Sequence, residues 1–208
     1  MDHKKVQDDL SHIRQMMEKS SRFNSLSGIS GVVAGMVALL GVCVVLFLIK
    51  PAEFFIPIKI PHYNYSSELI VSIAIGLAVL VIGVTGFFFL SYLRGKSSNT
   101  PLWTTAVKDL LLTSGTPLIA GGAVCLALLY HHLEIFLVPA TLIFYGISLV
   151  NAGQYTHLEL RTLGILQLIL GCVALFIPEL GLWLWALGFG ILHILFGFLI
   201  HTKYKASR

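Results

Sequence analysis

The stretch that decides the fold is TLGILQLILGCVALFIPELGLWLWALGFGILHILFGFLI, residues 162–200. It contains a single charged residue, Glu179, which follows Pro178 and separates two apolar runs. A helix of about 20 apolar residues crosses a hydrocarbon core about 30 Å thick. Because lipid offers no partner to an open backbone group, only closed structures such as helices can span it. The stretch therefore predicts two membrane-spanning helices joined by a tight turn.

The same pattern covers most of the chain. Its 208 residues are 56% hydrophobic and only 12% charged, whereas a soluble domain has about 25% charged residues. We predict an all-α integral membrane protein in which residues 25–201 form six transmembrane helices. Residues 1–24 form a cytoplasmic segment with a short amphipathic helix, and residues 202–208 form a cytoplasmic basic tail. The other four runs without Asp, Glu, Lys or Arg are roughly Ser25–Ile49, Leu69–Leu93, Leu110–Tyr130 and Leu133–Gly153.

The distribution of basic residues predicts the orientation. Six spans place both termini on one side, and that side carries every Lys and Arg except Lys50 and Lys59. Cytoplasmic loops carry an excess of Lys and Arg. Both termini are therefore expected in the cytoplasm. Because the basic residues follow membrane topology, they do not indicate nucleic-acid binding.

Glycines recur seven residues apart in each of the six predicted helices. Seven residues are nearly two helical turns, so both members of a pair lie on one face, where glycine lets neighbouring backbones approach closely. This recurrence predicts three copies of one helical hairpin. Each copy begins on the cytoplasmic side, so the repeats are parallel and related by a pseudo-threefold axis. The pairs are Gly28 and Gly35, Gly76 and Gly83, Gly115 and Gly122, Gly146 and Gly153, Gly164 and Gly171, and Gly190 and Gly197.

Two resemblances accompany this repeat. The spacing of glycine, Pro178 and Trp185 in the last hairpin resembles the hairpin repeat of the HdeD-like acid-resistance membrane protein family, which implies six helices in three hairpins. Over its full length the chain is similar to a group of uncharacterised bacterial six-helix integral membrane proteins, which implies a bacterial cytoplasmic (inner) membrane. The stretches that carry the second resemblance are residues 20–28, 139–146 and 185–190.

A few uncharged polar side chains fall inside the predicted spans. Polar groups there need partners, because an unpaired one costs a few kcal/mol (about 2–7, depending on the reference state). One interpretation is hydrogen bonding between packed helices. The other is a lined polar cavity or narrow pore where these side chains converge. The candidate residues are Tyr145, Asn151, Gln167 and His193.

The turn predicted outside the membrane between the third and fourth helices contains His131, His132 and Glu134. Histidine changes its charge between about pH 5 and pH 8, so this turn is a candidate for responding to external acid. An ordinary polar turn is the alternative. Two adjacent histidines rarely reach one ion without a third ligand, so we predict no metal site.

Several motifs are absent from the sequence, and their absence narrows the classes of function to consider. It has no catalytic, nucleotide-binding or haem-attachment motif, and its spans contain no carboxylate or permanent cation for ion coupling. We expect a non-enzymatic protein without a cofactor, whose partners are the lipid bilayer and another membrane protein or further copies of itself. Such a protein could act in envelope or acid stress tolerance, or as an accessory to a membrane partner. The alternatives are a passive channel or facilitator for a small neutral solute, and a membrane enzyme with an embedded cofactor.

Overall fold

Each charge-free run forms a helix, because a helix satisfies its backbone hydrogen bonds within one segment. The computed structural model describes residues 28–49, 67–98 and 105–205, and within these ranges every regular element is helical. The predicted amphipathic helix lies within residues 1–24, outside the described residues. The long helices are α1 (Gly28–Ile49), α2 (Ser67–Ser98), α3 (Thr105–Tyr130), α4 (Leu137–Tyr155) and α5 (Leu158–Phe176).

The sixth helical run is interrupted. It consists of α6 (Gly181–Trp185), a π-helical segment (Ala186–Leu192, the π segment) and α7 (His193–Lys205). Short 3-10 turns at Glu134–Phe136 and Pro178–Leu180 lead into α4 and α6. The all-α fold with six helical runs is therefore confirmed for the described residues.

The helices have the length and composition of membrane spans. In the described part of the chain, five helices are long and apolar enough to cross a membrane, and α2 contributes a shorter apolar helix at Ile70–Gly83. Many large apolar side chains point outward, including Phe47, Ile119 and Phe176, which are 80%, 77% and 88% exposed. Such a surface is compatible with a multi-pass membrane protein and is far more apolar than a soluble domain tolerates.

The helices pack in two groups. In one group α1 lies against α7, the π segment and α2. In the other, α4 lies between α5 and α3. The sixth run also contacts α5 and α4, and so joins the groups. Among the described residues, α2 and α3 therefore have their extensive contacts with a single neighbouring helix each.

The contact between α1 and the sixth run is built on two facing glycine pairs. A Cβ atom added at Gly197 would lie 2.7 Å from the Gly28 carbonyl oxygen, and one added at Gly35 would lie 2.7 Å from the Gly190 carbonyl oxygen. Real Cβ atoms do not approach backbone so closely, so a side chain at either position would force the helices apart. Both heptad pairs are thus matched in an antiparallel contact.

The contact between α4 and α5 uses one facing glycine pair. A Cβ at Gly164 would lie 2.7 Å from the Gly146 carbonyl oxygen, and the reverse distance is 2.9 Å. The heptad partner Gly171 faces the side chain of Ile143 instead. This contact is therefore shifted by one heptad relative to that between α1 and the sixth run.

The glycines of α2 and α3 do not make the contacts expected from the repeat. A Cβ added at Gly76, Gly83, Gly115 or Gly122 meets no atom of the described residues within 4 Å. For these two helices, the helix contact expected at each heptad pair is not made by the described residues. Their neighbours are held by other surfaces, because α2 packs on α1 and α3 packs on α4.

Candidate functional site

The first polar contact inside the bundle joins α4 to α7. The Tyr145 hydroxyl lies 2.9 Å from His193 Nε2, and His193 Nδ1 lies 2.9 Å from the Gly188 carbonyl oxygen. Because a carbonyl only accepts, Nδ1 carries the proton, and Nε2 of the neutral ring accepts from Tyr145. Both ring nitrogens of this 6%-exposed histidine are therefore satisfied.

The π segment supports this contact. Trp185, Phe189 and His193 are four residues apart and stack along one face, with ring centroids 4.8 Å and 5.8 Å apart in successive pairs. Tyr145 packs on Phe189 at 4.8 Å. The sequence reasoning missed the π segment, although Gly188 and Gly190 lie two residues apart there. Glycines so close together weaken the α-helical hydrogen-bond ladder. This glycine spacing was the sequence feature that could have indicated the π segment.

Gln167 reaches the same place from α5. It is 0% exposed, and neither its Nε2 nor its Oε1 has a hydrogen-bond partner among the described residues. Its Oε1 lies where a Gly188 side chain would begin. Three of the four candidate residues, Tyr145, Gln167 and His193, therefore border the π segment from three different helical runs.

Asn151 lies in a different seam. Its Nδ2 donates to the Thr113 carbonyl oxygen at 2.9 Å, and Ser148 Oγ donates to the Ser114 carbonyl oxygen at 2.8 Å. Both bonds join α4 to α3. The structure thus brings three of the candidate residues together and places Asn151 in the contact between α3 and α4.

The turn that contains His131, His132 and Glu134 closes the C-terminus of α3. His132 has a φ of 57°, and its N–H bonds to the Leu129 carbonyl while that of Leu133 bonds to the Leu128 carbonyl. This is a Schellman cap, in which the residue after the helix takes the left-handed conformation. The backbone conformation of His132, two residues before Glu134, is therefore fixed by the helix cap.

The side chains of the turn are partly brought together. His132 Nδ1 lies 3.4 Å from Glu134 Oε1, with the imidazole 85% exposed and the carboxylate side chain 9% exposed. The ring of His131 instead lies edge-on to Tyr130, with centroids 5.2 Å apart. The imidazole of His132 is therefore open at the protein surface, whereas the Glu134 carboxylate is covered.

A polar cluster at the predicted cytoplasmic end was not expected from the sequence. Glu159 Oε1 accepts from Lys203 Nζ at 2.5 Å, and Tyr204 donates to Glu159 Oε2 at 3.4 Å. The buried ring of His157 packs on Tyr204, with centroids 4.1 Å apart. These contacts fasten the start of α5 to the end of α7, over 44 residues of sequence, which no local pattern reveals.

The burial of Gln167 leads to a stability prediction. Gln167→Met keeps the volume and removes an amide that is buried without a hydrogen-bond partner among the described residues, a situation that costs about 1–3 kcal/mol. We expect a free energy of unfolding that is unchanged or about 1 kcal/mol higher, measured by reversible denaturation in micelles. Gln167→Glu is the control and should destabilise, because it buries a charge in the same place. A loss of more than about 1 kcal/mol in Gln167→Met would show that the amide has a stabilising partner.

No protein-family model, curated protein or solved structure matches the chain. The helix contacts and polar seams are therefore the observations that bear on its function.

Proposed function

We propose that this is a non-enzymatic, non-conducting multi-pass protein of the bacterial cytoplasmic membrane that acts by binding other membrane helices. Both termini lie in the cytoplasm. An accessory role beside a membrane partner, or a part in envelope or acid stress tolerance, would use the same property. One observation carries the proposal: the described residues leave the glycine pairs of α2 and α3 uncovered, whereas those of the other helical runs lie in packed contacts.

The polar seams support a packed interior over a solute path. A channel needs polar groups that face water. Asn151 Nδ2 instead bonds to a carbonyl of α3, and both nitrogens of His193 are bonded within the bundle. An apolar groove of about 350 Å³ lies between α1 and α2, lined by residues such as Val37, Leu40 and Ile75. Its lining suits lipid or another apolar surface and offers nothing to a hydrophilic solute.

The uncovered glycine faces support lateral association. Lipid tails are as apolar as leucine, so membrane helices associate through close van der Waals packing at small residues. Gly83 and Gly122 lie on faces that also expose Leu80 and Ile119, at 59% and 77%. Such faces gain close packing when a second helix covers them.

The threefold hairpin repeat also belongs to this proposal. The hairpins are α1 with α2, α3 with α4, and α5 with the sixth run. The extensive contacts between hairpins join α4 to α5 and the sixth run to α1. The third equivalent contact, between α2 and α3, is not an extensive one among the described residues, so the faces of these two helices remain available to a further membrane helix. The uncovered glycines lie on these two helices.

Solute flux tests the proposal. We expect proteoliposomes to shrink and reswell in glycerol or urea gradients at the rate of empty liposomes, measured by stopped-flow light scattering. Insertion would be verified by protease protection of a cytoplasmic tag. Faster flux that His193→Phe or Asn151→Leu abolishes would contradict the proposal and establish a polar path.

A further inference from the structure

We infer that Pro117 makes a hinge in α3, and that Asn151 and Ser148 of α4 lock this hinge. The hinge lies after the first part of α3, residues 105–112, which we call the arm. The lock fixes the direction of the arm relative to α4. This inference concerns the movement of α3 and does not depend on the proposed function.

The hinge follows from the covalent structure of proline. Pro117 lies inside α3. A proline within a helix has no N–H to offer the carbonyl four residues earlier, and its ring crowds that carbonyl. In α3 this carbonyl belongs to Thr113. The backbone hydrogen bond between these two residues cannot form, so the helix is weakened next to the arm.

The hydroxyl side chains beside the hinge do not replace the missing donor. Those of Thr113, Ser114 and Thr116 each donate to a carbonyl four residues earlier in α3, at 2.5 to 2.7 Å. A hydroxyl has a single proton to donate, and bonds of this kind tend to bend a helix. The donor for the Thr113 carbonyl therefore has to come from another helix.

The helix α4 supplies that donor. Asn151 Nδ2 donates to the Thr113 carbonyl oxygen at 2.9 Å, where the helix itself has no N–H to offer. The next carbonyl, that of Ser114, accepts from Ser148 Oγ at 2.8 Å. Ser148 is only 4% exposed, and an unpaired backbone carbonyl is costly inside a bilayer. The arm is therefore held where the two side chains can reach its end.

The lock is attached to a fixed support. On its other face α4 meets α5 through the backbones of Gly146 and Gly164, which leaves no room for α4 to shift. Beyond the hinge, the side chain of Phe144 on α4 fills the space beside Gly121. The lock and Phe144 thus hold α3 on opposite sides of Pro117. When the lock is lost, the Phe144 contact remains and the arm is the part that gains freedom.

Hydrogen exchange of the arm tests the lock. Asn151→Leu removes the donor and should speed exchange of the amides in residues 105–112 roughly threefold to twentyfold, the effect of losing one hydrogen bond between membrane helices. The measurement is hydrogen–deuterium exchange mass spectrometry in lipid nanodiscs. Peptides from α5 should exchange at the wild-type rate, because opening of the arm is local.

The same substitution in a Pro117→Ala background tests the role of the proline. Alanine restores a backbone N–H for the Thr113 carbonyl, so Asn151→Leu should then leave the exchange of the arm unchanged. Ser148→Ala is the matched variant at the neighbouring carbonyl. It should have the smaller effect in both backgrounds, because the N–H of Leu118 can still bond to that carbonyl.

Three results would overturn the inference. One is equal acceleration by Asn151→Leu in the two backgrounds, because the bond would then not depend on Pro117. Another is acceleration in every helix, which would mean a general loss of stability. The third is an arm whose exchange does not change when Asn151 is replaced in the otherwise wild-type chain.

Distances between spin labels provide a second readout. In a cysteine-free background, Lys108→Cys on the arm is paired with Leu158→Cys at the start of α5, and both positions are exposed. We expect Asn151→Leu to broaden the distance distribution, and added Pro117→Ala to restore its original width. The measurement is double electron–electron resonance in nanodiscs.

The control pair lies beyond the hinge. It joins Leu126→Cys on α3 to Phe176→Cys on α5, two exposed positions. Its distance distribution should be the same in all variants. A control pair that broadens as much as the arm pair, or an arm pair that does not broaden, would contradict a hinge at Pro117.

Discussion

Gly164→Leu is expected to lower the free energy of unfolding by about 3 kcal/mol, the upper part of the usual range for overpacking. A Cβ at this position would lie 2.7 Å from the Gly146 carbonyl oxygen and 2.7 Å from the Val150 nitrogen. Both are backbone atoms of α4, which cannot move aside unless the helices separate. The measurement is reversible unfolding in mixed micelles at a dilution that keeps the protein monomeric.

The matched control is Gly122→Leu, the same substitution in a membrane-spanning helix. An added side chain there meets no described residue within 4 Å, so the change should stay within about 0.5 kcal/mol, as for other open positions. Similar losses in both variants would mean that glycine acts through helix propensity alone. That result would remove the distinction between covered and uncovered faces.

His193→Phe is expected to cost about 2 kcal/mol. Phenylalanine keeps the stacking on Phe189 but leaves the Tyr145 hydroxyl and the Gly188 carbonyl without the imidazole. Tyr145→Phe should cost about half as much, because it removes only the hydroxyl. The measurement is again unfolding in micelles.

A double-mutant cycle isolates the hydrogen bond from the packing. The coupling between His193→Phe and Tyr145→Phe should be near 0.6 kcal/mol, the average for bonds between membrane helices, and no more than about 1.7 kcal/mol. Additive effects would show that Tyr145 and His193 contribute independently. The bond would then not be what joins α4 to α7.

The helices themselves could be predicted from the sequence, because charge-free runs of membrane length have few alternatives. The glycine spacing also located helix faces that make the closest contacts, such as Gly28 on Gly197. It could not show which face meets which helix. Spacing along one helix contains no information about its neighbour, so the open faces at Gly83 and Gly122 were not foreseen.

The candidate site could be predicted only in part. Tyr145, Gln167 and His193 were singled out as polar residues inside spans, and they do border one segment. That segment is π-helical, a local change in hydrogen bonding that a hydrophobic pattern does not record. Asn151 was grouped with them by type, but its partner is a backbone carbonyl of α3, and nothing in the sequence pairs a side chain with a carbonyl of another helix.

The most direct test of a packed bundle that assembles through its free glycine faces is an experimental structure of the protein in a lipid nanodisc. We predict a packed bundle without a continuous water-filled path, in which a helix of another chain covers the faces at Gly83 and Gly122. Asn151 and His193 should keep their partners within the bundle. A single copy whose helices enclose a continuous water-filled path lined by these side chains would contradict the account.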